Sequence, residues 1–218
     1  METIVIDYGS GNLLSVAKAL ERAGREAEIN GTVTVSQETG AVDRADHIVL
    51  PGVGAFGDCA NGLRTLPKMV DALERNIRQK KKPFLGICVG MQLMADRGLE
   101  HGSHEGLGWI QGVVRPLAPL KSELKIPHMG WNVFETTPAS SHPVLSNFVG
   151  PTHAYFVHSY SIHCRNDTDV LATSDYGGQF PAVVGKDNMI GTQFHPEKSQ
   201  TAGLKLLHNF LKWDGEVT

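Results

Sequence analysis

The chain is poor in cysteine, has no excess of positive charge and contains no long apolar run. Its three cysteines, Cys59, Cys88 and Cys164, are an odd number without the spacing of a disulfide framework or of a metal site. Twenty basic residues against 23 acidic ones give a formal net charge of -3, which leaves no broad positive surface for nucleic acid. These shortages argue against a disulfide-stapled secreted protein and against a nucleic-acid binder.

Membrane insertion and secretion are also not expected. The longest uncharged apolar stretch, Pro83 to Ala95, is too short to cross a bilayer. No signal peptide precedes Thr3 to Ile6, and unpaired cysteines suit a reducing compartment, so we expect a cytoplasmic protein. A length of 218 residues is enough for one sizeable core and short for two, so we expect a single domain over residues 1–218.

The first half of the chain alternates predicted strands and helices. The predicted strands are Thr3–Asp7, Glu26–Ile29, His47–Leu50 and Pro83–Ile87. The predicted helices are Leu14–Ala23, Pro67–Gln79 and a helix after Cys88. Such alternation is typical of an α/β fold with a mostly parallel, doubly wound sheet and helices on both faces. Functional groups are then expected at the carboxyl ends of the strands.

The second half reads as strands with turns between them. The runs with strand character are Val113–Val114, Asn132–Phe134, Ala154–Ser161, Val170–Thr173 and Ala182–Val184. Lys186-Asp187-Asn188 predicts a hairpin turn that returns into Met189–Phe194, so we expect added antiparallel strands in this half. A closing helix near Thr201–Trp213 would place Leu204, Leu207 and Leu211 on one face.

Cys88 stands between two glycines, in the sequence Gly86-Ile87-Cys88-Val89-Gly90, with the helix-forming run Met91–Ala95 after it. A strand that turns sharply into a helix needs residues without a β-carbon beside the turn, and the side chain at the apex is then exposed. The start of the helix favours the thiolate, the form of cysteine that attacks carbonyls. The pattern predicts a nucleophile elbow, and a buried structural cysteine is the alternative.

A candidate base lies in His195-Pro196-Glu197, after the strand-like Met189–Phe194. In an extended segment residues i and i+2 point the same way, so Glu197 can accept a hydrogen bond from the ring of His195. Pro196 is expected to hold the extended form because its ring fixes φ. Cys88, His195 and Glu197 then make a catalytic triad of nucleophile, base and orienting carboxylate.

A glycine-rich loop, Pro51 to Gly57, follows the predicted strand His47–Leu50. A loop of this kind can present bare N–H groups to a developing oxyanion, beside the N–H of the residue after the nucleophile. We therefore predict an oxyanion hole formed by Val89, Gly52 and Val53. An ordinary strand-to-helix turn is the alternative.

Together, the Cys88 elbow, His195-Pro196-Glu197 and the Pro51–Gly54 loop resemble the class I, triad-type glutamine amidotransferases. The resemblance covers nearly the whole chain, from Ile4 to Phe210, and is carried further by Asp7–Val16, Lys125–Asn132 and Tyr155–Tyr160. It implies the flavodoxin-like fold of that family and hydrolysis of glutamine to glutamate and ammonia through a cysteine thioester. It implies no metal and no organic cofactor.

The resemblance also implies residues beyond the triad. The implied glutamine pocket consists of Gly54, Gln92, Glu100, Ser159 and Tyr160. The ammonia would pass through a channel to a (β/α)8 cyclase partner subunit in a heterodimer. The implied partner interface consists of Pro127, His128, Met129, Trp131, Asn132 and Lys198. From the sequence alone, burial of Trp131 in the core stays equally open.

Several other interpretations remain to be compared with this one. The enzymatic alternatives are another class I glutaminase subunit and an α/β-hydrolase with a cysteine elbow, whose acidic residue usually precedes the histidine. A degenerate, non-catalytic binding module is disfavoured by the intact triad residues. Gly9-Ser10-Gly11 lacks the third glycine of a dinucleotide fingerprint. No metal-binding spacing occurs in the group His153, His158, His163 and Cys164.

Overall fold

The computed structural model describes residues 1–120, 123–137 and 140–217. Within these residues the strands β1 to β13 are, in order, Glu2–Ile6, Thr32–Ser36, His47–Gly52, Phe84–Cys88, Ala95–Gly98, His104–Glu105, Ile110–Pro116, His128–Thr136, Thr152–His158, Tyr160–Cys164, Val170–Asp175, Gln179–Lys186 and Met189–Thr192. The α-helices α1 to α6 are Leu13–Glu26, Thr39–Arg44, Phe56–Thr65, Met69–Leu73, Val89–Gln92 and Gln200–Lys212. A π-helical segment, Glu74–Gln79, continues α4, and 3-10 turns lie at Pro143–Leu145, Asp167–Asp169 and Pro196–Lys198.

The main sheet has nine strands in the order β2-β1-β3-β4-β13-β12-β11-β8-β9. Its first five strands are mutually parallel, and each later neighbour pairs antiparallel. The predicted sheet, mostly parallel with antiparallel strands added in the second half of the chain, is therefore confirmed. All residues of β3, β4 and β13 are buried, so layers of structure cover both faces at the centre of the sheet.

The parallel strands bring their carboxyl ends to one edge of the sheet. Gly52 at the end of β3 lies opposite Cys88 at the end of β4, and Thr192 at the end of β13 lies opposite Ile87. The segment that follows β13 and leads to His195 is thus delivered beside Cys88. This edge is where ligands bind in open α/β sheets.

The predicted hairpin is also confirmed. Lys186 pairs with Met189 across a two-residue turn, and Asp187 adopts a φ of 52°, in the left-handed region that such turns require. The hairpin places β13 between β12 and β4, and so joins the antiparallel strands to the parallel ones.

The strand predicted at Glu26–Ile29 is wrong. Helix α1 runs to Glu26, and the chain then turns, with Glu28 at a φ of 56°. The strand that pairs with β1 is β2, whose residues are Thr-Val-Thr-Val-Ser and mostly exposed. Its β-branched residues suit an edge strand. Because only two of its five residues are apolar, the strand has no clear hydrophobic pattern in the sequence.

A second sheet of four strands, in the order β10-β7-β5-β6, was not predicted. The helix after Cys88 ends at Gln92, and the chain enters β5 at Ala95, so the prediction of helix through Ala95 is wrong. The strand predicted over Ala154–Ser161 is two strands. β9 ends at His158 in the main sheet, and β10 begins at Tyr160 in the small one.

The closing helix α6 is confirmed, with its buried face slightly rotated from the predicted one. Leu207 and Leu211 are buried as expected, whereas Leu204 is only partly buried. The buried residues are Gly203, Leu206, Leu207, Phe210 and Leu211, which follow the spacing of one helix face. Across the described ranges, no helix is long and apolar enough to cross a membrane.

Burial lowers the pKa of several histidines in the fold, most of all at three positions. His128, His142 and His158 expose 3%, 4% and 6% of their surface, and burial lowers the pKa of each to about 4. His128 Nδ1 lies 3.0 Å from His158 Nε2, and His158 Nδ1 lies 2.9 Å from the carbonyl oxygen of Tyr160. His142 Nδ1 accepts a hydrogen bond from the N–H of Val144.

These histidines predict a loss of stability in mild acid. An unfolded histidine binds its proton near pH 6.5, while the folded ring of His142 resists protonation down to about pH 4. The free energy of unfolding should therefore fall as the pH drops through this window, with His142 contributing about 3 kcal/mol of the fall. Urea unfolding at several pH values between 7 and 4 measures it.

His142→Asn is the matched variant, because an asparagine oxygen can accept the Val144 N–H without titrating. Its stability should start lower but fall less steeply between pH 6.5 and 4. An unchanged slope would show that His142 does not contribute to the acid response.

Candidate active site

Cys88 lies on a sharp turn between β4 and α5. Its backbone has φ 54° and ψ -110°, a conformation that non-glycine residues rarely adopt. A β-carbon on Gly90 would lie 1.8 Å from the carbonyl oxygen of Leu50, and one on Gly86 would lie 2.7 Å from that of Gly90. Any side chain at either glycine would therefore force β3, β4 and α5 apart. The structure has the elbow geometry that the two glycines predict.

His195 and Glu197 form a buried pair beside the elbow. The ring Nδ1 of His195 lies 2.9 Å from Oε1 of Glu197, and their side chains are 2% and 1% exposed. The contact between the two side chains was predicted, but the backbone conformation that produces it was not. Pro196–Lys198 is a 3-10 turn, not an extended segment, because Pro196 begins the turn immediately after His195.

The turn that carries His195 is anchored on three sides. The N–H of His195 donates to the carbonyl oxygen of Tyr155 in β9, at 3.0 Å. Ser199 Oγ donates to the carbonyl of His195 at 2.7 Å and accepts the N–H of Tyr155 at 3.0 Å. A β-carbon on Gly203 of α6 would lie 1.8 Å from the carbonyl oxygen of Pro196. His195 is thereby fixed by both a strand and a helix.

The electrostatics of the site favour a charged ring at His195. Burial by itself lowers the pKa of His195, but its interactions with Cys88 and Glu197 outweigh burial and raise the pKa well above the ordinary value. Nε2 of His195 is buried and has no hydrogen-bond partner of conventional geometry in the described part of the chain. That nitrogen is therefore the ring atom left to exchange a proton with Cys88.

A cavity of about 210 Å³ opens beside the sulfur. The predicted site residues that line it are Val53, Gly54, Cys88, Val89, Gln92, Glu100, Ser159, Tyr160 and His195. Glu197 does not line it, because it lies behind His195. Gly52 does not line it either. Atoms of Tyr8, Gly90 and Val89 lie 2.6 to 2.9 Å from the place that a β-carbon on Gly52 would take, so this residue is packed beneath the elbow. Pro127, predicted at the partner interface, lines this cavity, as do Val157 and His158, which were not predicted.

The predicted oxyanion loop is held by a serine. The N–H of Val53 donates to Ser10 Oγ at 3.1 Å, and Ser10 Oγ donates to the carbonyl oxygen of Val53 at 2.6 Å. The N–H of Val53 is thus engaged by Ser10, which is not among the residues that line the cavity. As an oxyanion donor, Val53 therefore requires a rearranged loop. Gly54, at a φ of 95° with open space around it, allows such a change.

Two buried glutamines connect the cavity wall to the sulfur. Nε2 of Gln92 donates to the carbonyl oxygen of Tyr160 at 2.9 Å and to Oε1 of Gln193 at 3.0 Å. Nε2 of Gln193 in turn donates to Cys88 Sγ at 3.7 Å. Gln193 was missed by the sequence reasoning. A large polar residue between Thr192 and Phe194 at the end of a buried strand, two positions before His195, was the available signal.

Glu100 lines the cavity and is held by a backbone hydrogen bond. Its Oε2 accepts the N–H of Phe56, the first residue of α3, at 2.7 Å, and the residue also lines the cavity. The carboxylate is therefore fixed at the rim, where it can attract a positively charged group. Among the described residues, no group of three or more His, Cys, Asp or Glu side chains could hold a metal ion.

The predicted partner interface is only partly exposed. Met129 is 62% and Trp131 48% exposed, whereas the side chain of His128 is buried and stacks on Tyr176 and Phe156. Asn132 Nδ2 donates to the carbonyl oxygen of Asp175. The ammonium group of Lys198, the last residue of the 3-10 turn, lies 5.7 Å above the ring of Tyr155, and Tyr155 makes an edge contact with Trp131. Trp131 is therefore not a core residue.

Comparisons with known proteins match nearly all of the chain. The family model described as glutamine amidotransferase class-I matches residues 4–213. The chain is 56% identical over 216 residues to the imidazole glycerol phosphate synthase subunit HisH of Rhodopseudomonas palustris, covering 98% of this chain and 99% of that one. The HisH subunits of Brucella abortus and Rhodospirillum rubrum are 53% and 51% identical, with the same coverage.

Solved structures agree on the fold. A crystal structure of a glutamine amidotransferase superposes with a TM-score of 0.71 at 18% identity, covering 97% of this chain and 98% of that one. A glutamine amidotransferase from Thermotoga maritima gives a TM-score of 0.68 at 17% identity, covering 100% and 99% of the two chains. At such identities the agreement concerns the architecture alone.

Proposed function

We infer that this chain, which belongs to the class I glutamine amidotransferase family, is the glutaminase subunit of an imidazole glycerol phosphate synthase in histidine biosynthesis. It hydrolyses glutamine to glutamate and ammonia. The observation that carries the proposal is Cys88 on a strained elbow beside the buried His195–Glu197 pair. The full-length similarity to relatives of that name supports the choice of synthase.

The first chemical step is attack by sulfur on the side-chain amide of glutamine. The proton of Cys88 moves to Nε2 of His195, and the thiolate forms a bond to the amide carbon. The N–H of Val89, the residue after the nucleophile, stabilises the oxyanion, and the Gly52-Val53 loop supplies the second donor once the N–H of Val53 leaves Ser10.

In the second half of the reaction, His195 acts first as a general acid and then as a general base. His195 protonates the departing nitrogen, so ammonia leaves and a thioester remains on Cys88. His195 then accepts a proton from water, which attacks the thioester and releases glutamate. Glu197 holds Nδ1 of the ring and stabilises its charged form throughout.

The pocket residues fit the polar ends of glutamine. The carboxylate of Glu100 at the rim suits the α-ammonium group of the substrate. Both recorded donor contacts of Gln92 are made to protein acceptors, so its Oε1 is the atom left to accept a hydrogen bond from the substrate. Gly54, Ser159 and Tyr160 complete the walls.

The ammonia is used by a partner subunit of the synthase. We propose that this partner is a (β/α)8 cyclase, that the two form a heterodimer, and that the products are imidazole glycerol phosphate and an aminoimidazole carboxamide ribotide. Met129 and Trp131 offer an exposed apolar face next to Pro127, which lines the catalytic cavity. A reactive thiol and two further free cysteines suit the reducing cytoplasm.

We predict that glutamine hydrolysis is slow in the chain alone and rises roughly 10²- to 10³-fold when the partner binds its acceptor ligand, the effect expected of one oxyanion donor. The physical reason is that the N–H of Val53 is directed at Ser10 in this structure. Steady-state glutamate release is measured for the chain alone, with the cyclase subunit, and with that subunit plus acceptor ligand.

Ser10→Ala removes the competing acceptor of the Val53 N–H and should raise the rate of the chain alone. Ser36→Ala is the control, because Ser36 accepts the N–H of Glu38 far from the loop. Equal turnover in all three conditions would contradict the loop rearrangement and leave the triad intact. A complex that releases no glutamate at all would contradict the proposed function.

A further inference from the structure

Gln193 is a buried carboxamide whose orientation is determined by its neighbours. Its surface exposure is 0%, and its Oε1 accepts a hydrogen bond from Gln92 Nε2 at 3.0 Å. Because Gln92 also donates to the carbonyl oxygen of Tyr160, its own amide cannot turn around without losing both bonds. The oxygen of Gln193 therefore faces Gln92, and its NH₂ group faces Cys88 Sγ at 3.7 Å.

The NH₂ group of Gln193 donates to the sulfur of Cys88. A buried amide N–H without a partner is costly, and within the described ranges the side-chain hydrogen bond recorded for Gln193 Nε2 is the one to Sγ. A thiol is a weak acceptor and a thiolate a strong one. The buried donor is thus better satisfied after Cys88 ionises than before.

The carbonyl oxygen of Val157, the other polar neighbour of the sulfur, favours the thiol over the thiolate. Sγ lies 3.8 Å from the carbonyl oxygen of Val157, to which the thiol can donate. When the proton leaves for Nε2 of His195, this contact changes from a weak hydrogen bond to one between two negative atoms. Gln193 then offsets the loss.

We propose that Gln193 is a further catalytic residue, whose carboxamide N–H stabilises the thiolate of Cys88 and fixes the position of the sulfur. This rests on the proposed function, since it assigns a role in the same reaction. The role differs from that of His195, because Gln193 exchanges no proton and its donor is present before substrate binds. Through Gln92, the same amide also fixes the pocket wall that receives glutamine.

The test is the rate at which iodoacetamide alkylates Cys88 in the chain alone, measured as a function of pH and located by mass spectrometry. Gln193→Met replaces the amide with an apolar side chain of similar length that cannot donate. Loss of a hydrogen bond to a charged group should slow alkylation at neutral pH about ten-fold and move the midpoint of the pH profile upward by about one unit. Turnover of the complex should fall by a similar factor.

The titratable groups near the sulfur set the background of this profile. They are His195 and Glu197 behind it, Glu100 and His158 at the cavity, and Tyr8 and Cys59 beneath the Gly52 loop. None of them is altered in the Gln193 variants, so a shift of the midpoint reports the lost donor.

Two further variants keep the experiment decisive. Gln111→Met changes an exposed glutamine on β7 and should leave the alkylation profile unchanged. Gln193→Asn retains an amide but shortens the side chain, so its profile should lie between those of the original chain and Gln193→Met. If Gln193→Met does not fold, the alkylation profile of Gln193→Asn provides the test.

An unshifted profile in folded Gln193→Met or Gln193→Asn would overturn the proposal. Failure of the proposed function has a different signature. In that case the unmodified complex would release no glutamate, although the alkylation profile of Cys88 could still be measured in the chain alone.

Discussion

Cys88→Ala should abolish synthesis from glutamine by the complex, by about 10⁴-fold or more, because it removes the atom that forms the thioester. Synthesis from added ammonium should persist, since the partner subunit uses the ammonia. The two rates are measured on the same purified complex, with glutamine and with an ammonium salt as alternative nitrogen donors.

Cys164→Ala is the matched control for this variant. Cys164 is a free cysteine in β10 of the small sheet, and it does not line the catalytic cavity. Both rates should be retained after its replacement. If Cys88→Ala lost both activities while the complex remained assembled, the division of labour between the two subunits would be refuted.

The second large effect is expected at His195, whose replacement by asparagine should approach the loss seen with Cys88→Ala. The loss of turnover in Glu197→Gln should be roughly 10- to 100-fold smaller than that in His195→Asn, because an orienting group is replaced more easily than the base. A glutamine can still accept the Nδ1 hydrogen bond through its carbonyl oxygen. The remaining NH₂ would occupy the place of Oε2, which is buried and has no partner among the described residues.

Single-turnover thioester formation and steady-state turnover are measured for both variants. Ser199→Ala is a useful comparison, because it loosens the His195 turn without touching the ring. A Glu197→Gln defect as severe as that of His195→Asn would mean that Glu197 does more than orient the ring.

The parts of the structure that the sequence predicted are those specified by local residues. The elbow follows from Gly86 and Gly90, because a side chain at Gly90 would collide with the backbone of β3 and one at Gly86 with the backbone of α5. The parallel order follows from buried apolar strands that alternate with helices, such as His47–Gly52 and Phe84–Cys88. Asp187 in its tight turn is likewise a local signal.

The parts that were missed depend on contacts between distant segments. Gln193 acquires its role from Gln92 and Cys88, both about a hundred positions earlier in the chain. The small sheet pairs β7 with β10, and Ser159 stands where the chain passes from one sheet to the other. The His195–Glu197 contact was predicted from the wrong backbone, because extended and 3-10 conformations both allow it.

Helix α6 supports the turn that carries His195 without lining the cavity. The backbone of Gly203 lies so close to Pro196 that the catalytic turn rests directly on the helix. A glycine is therefore required here by the close approach of the turn, although glycine is a poor helix former. We therefore expect a substitution on the inner face of this helix to alter turnover as well as stability, because it would displace the turn that carries His195.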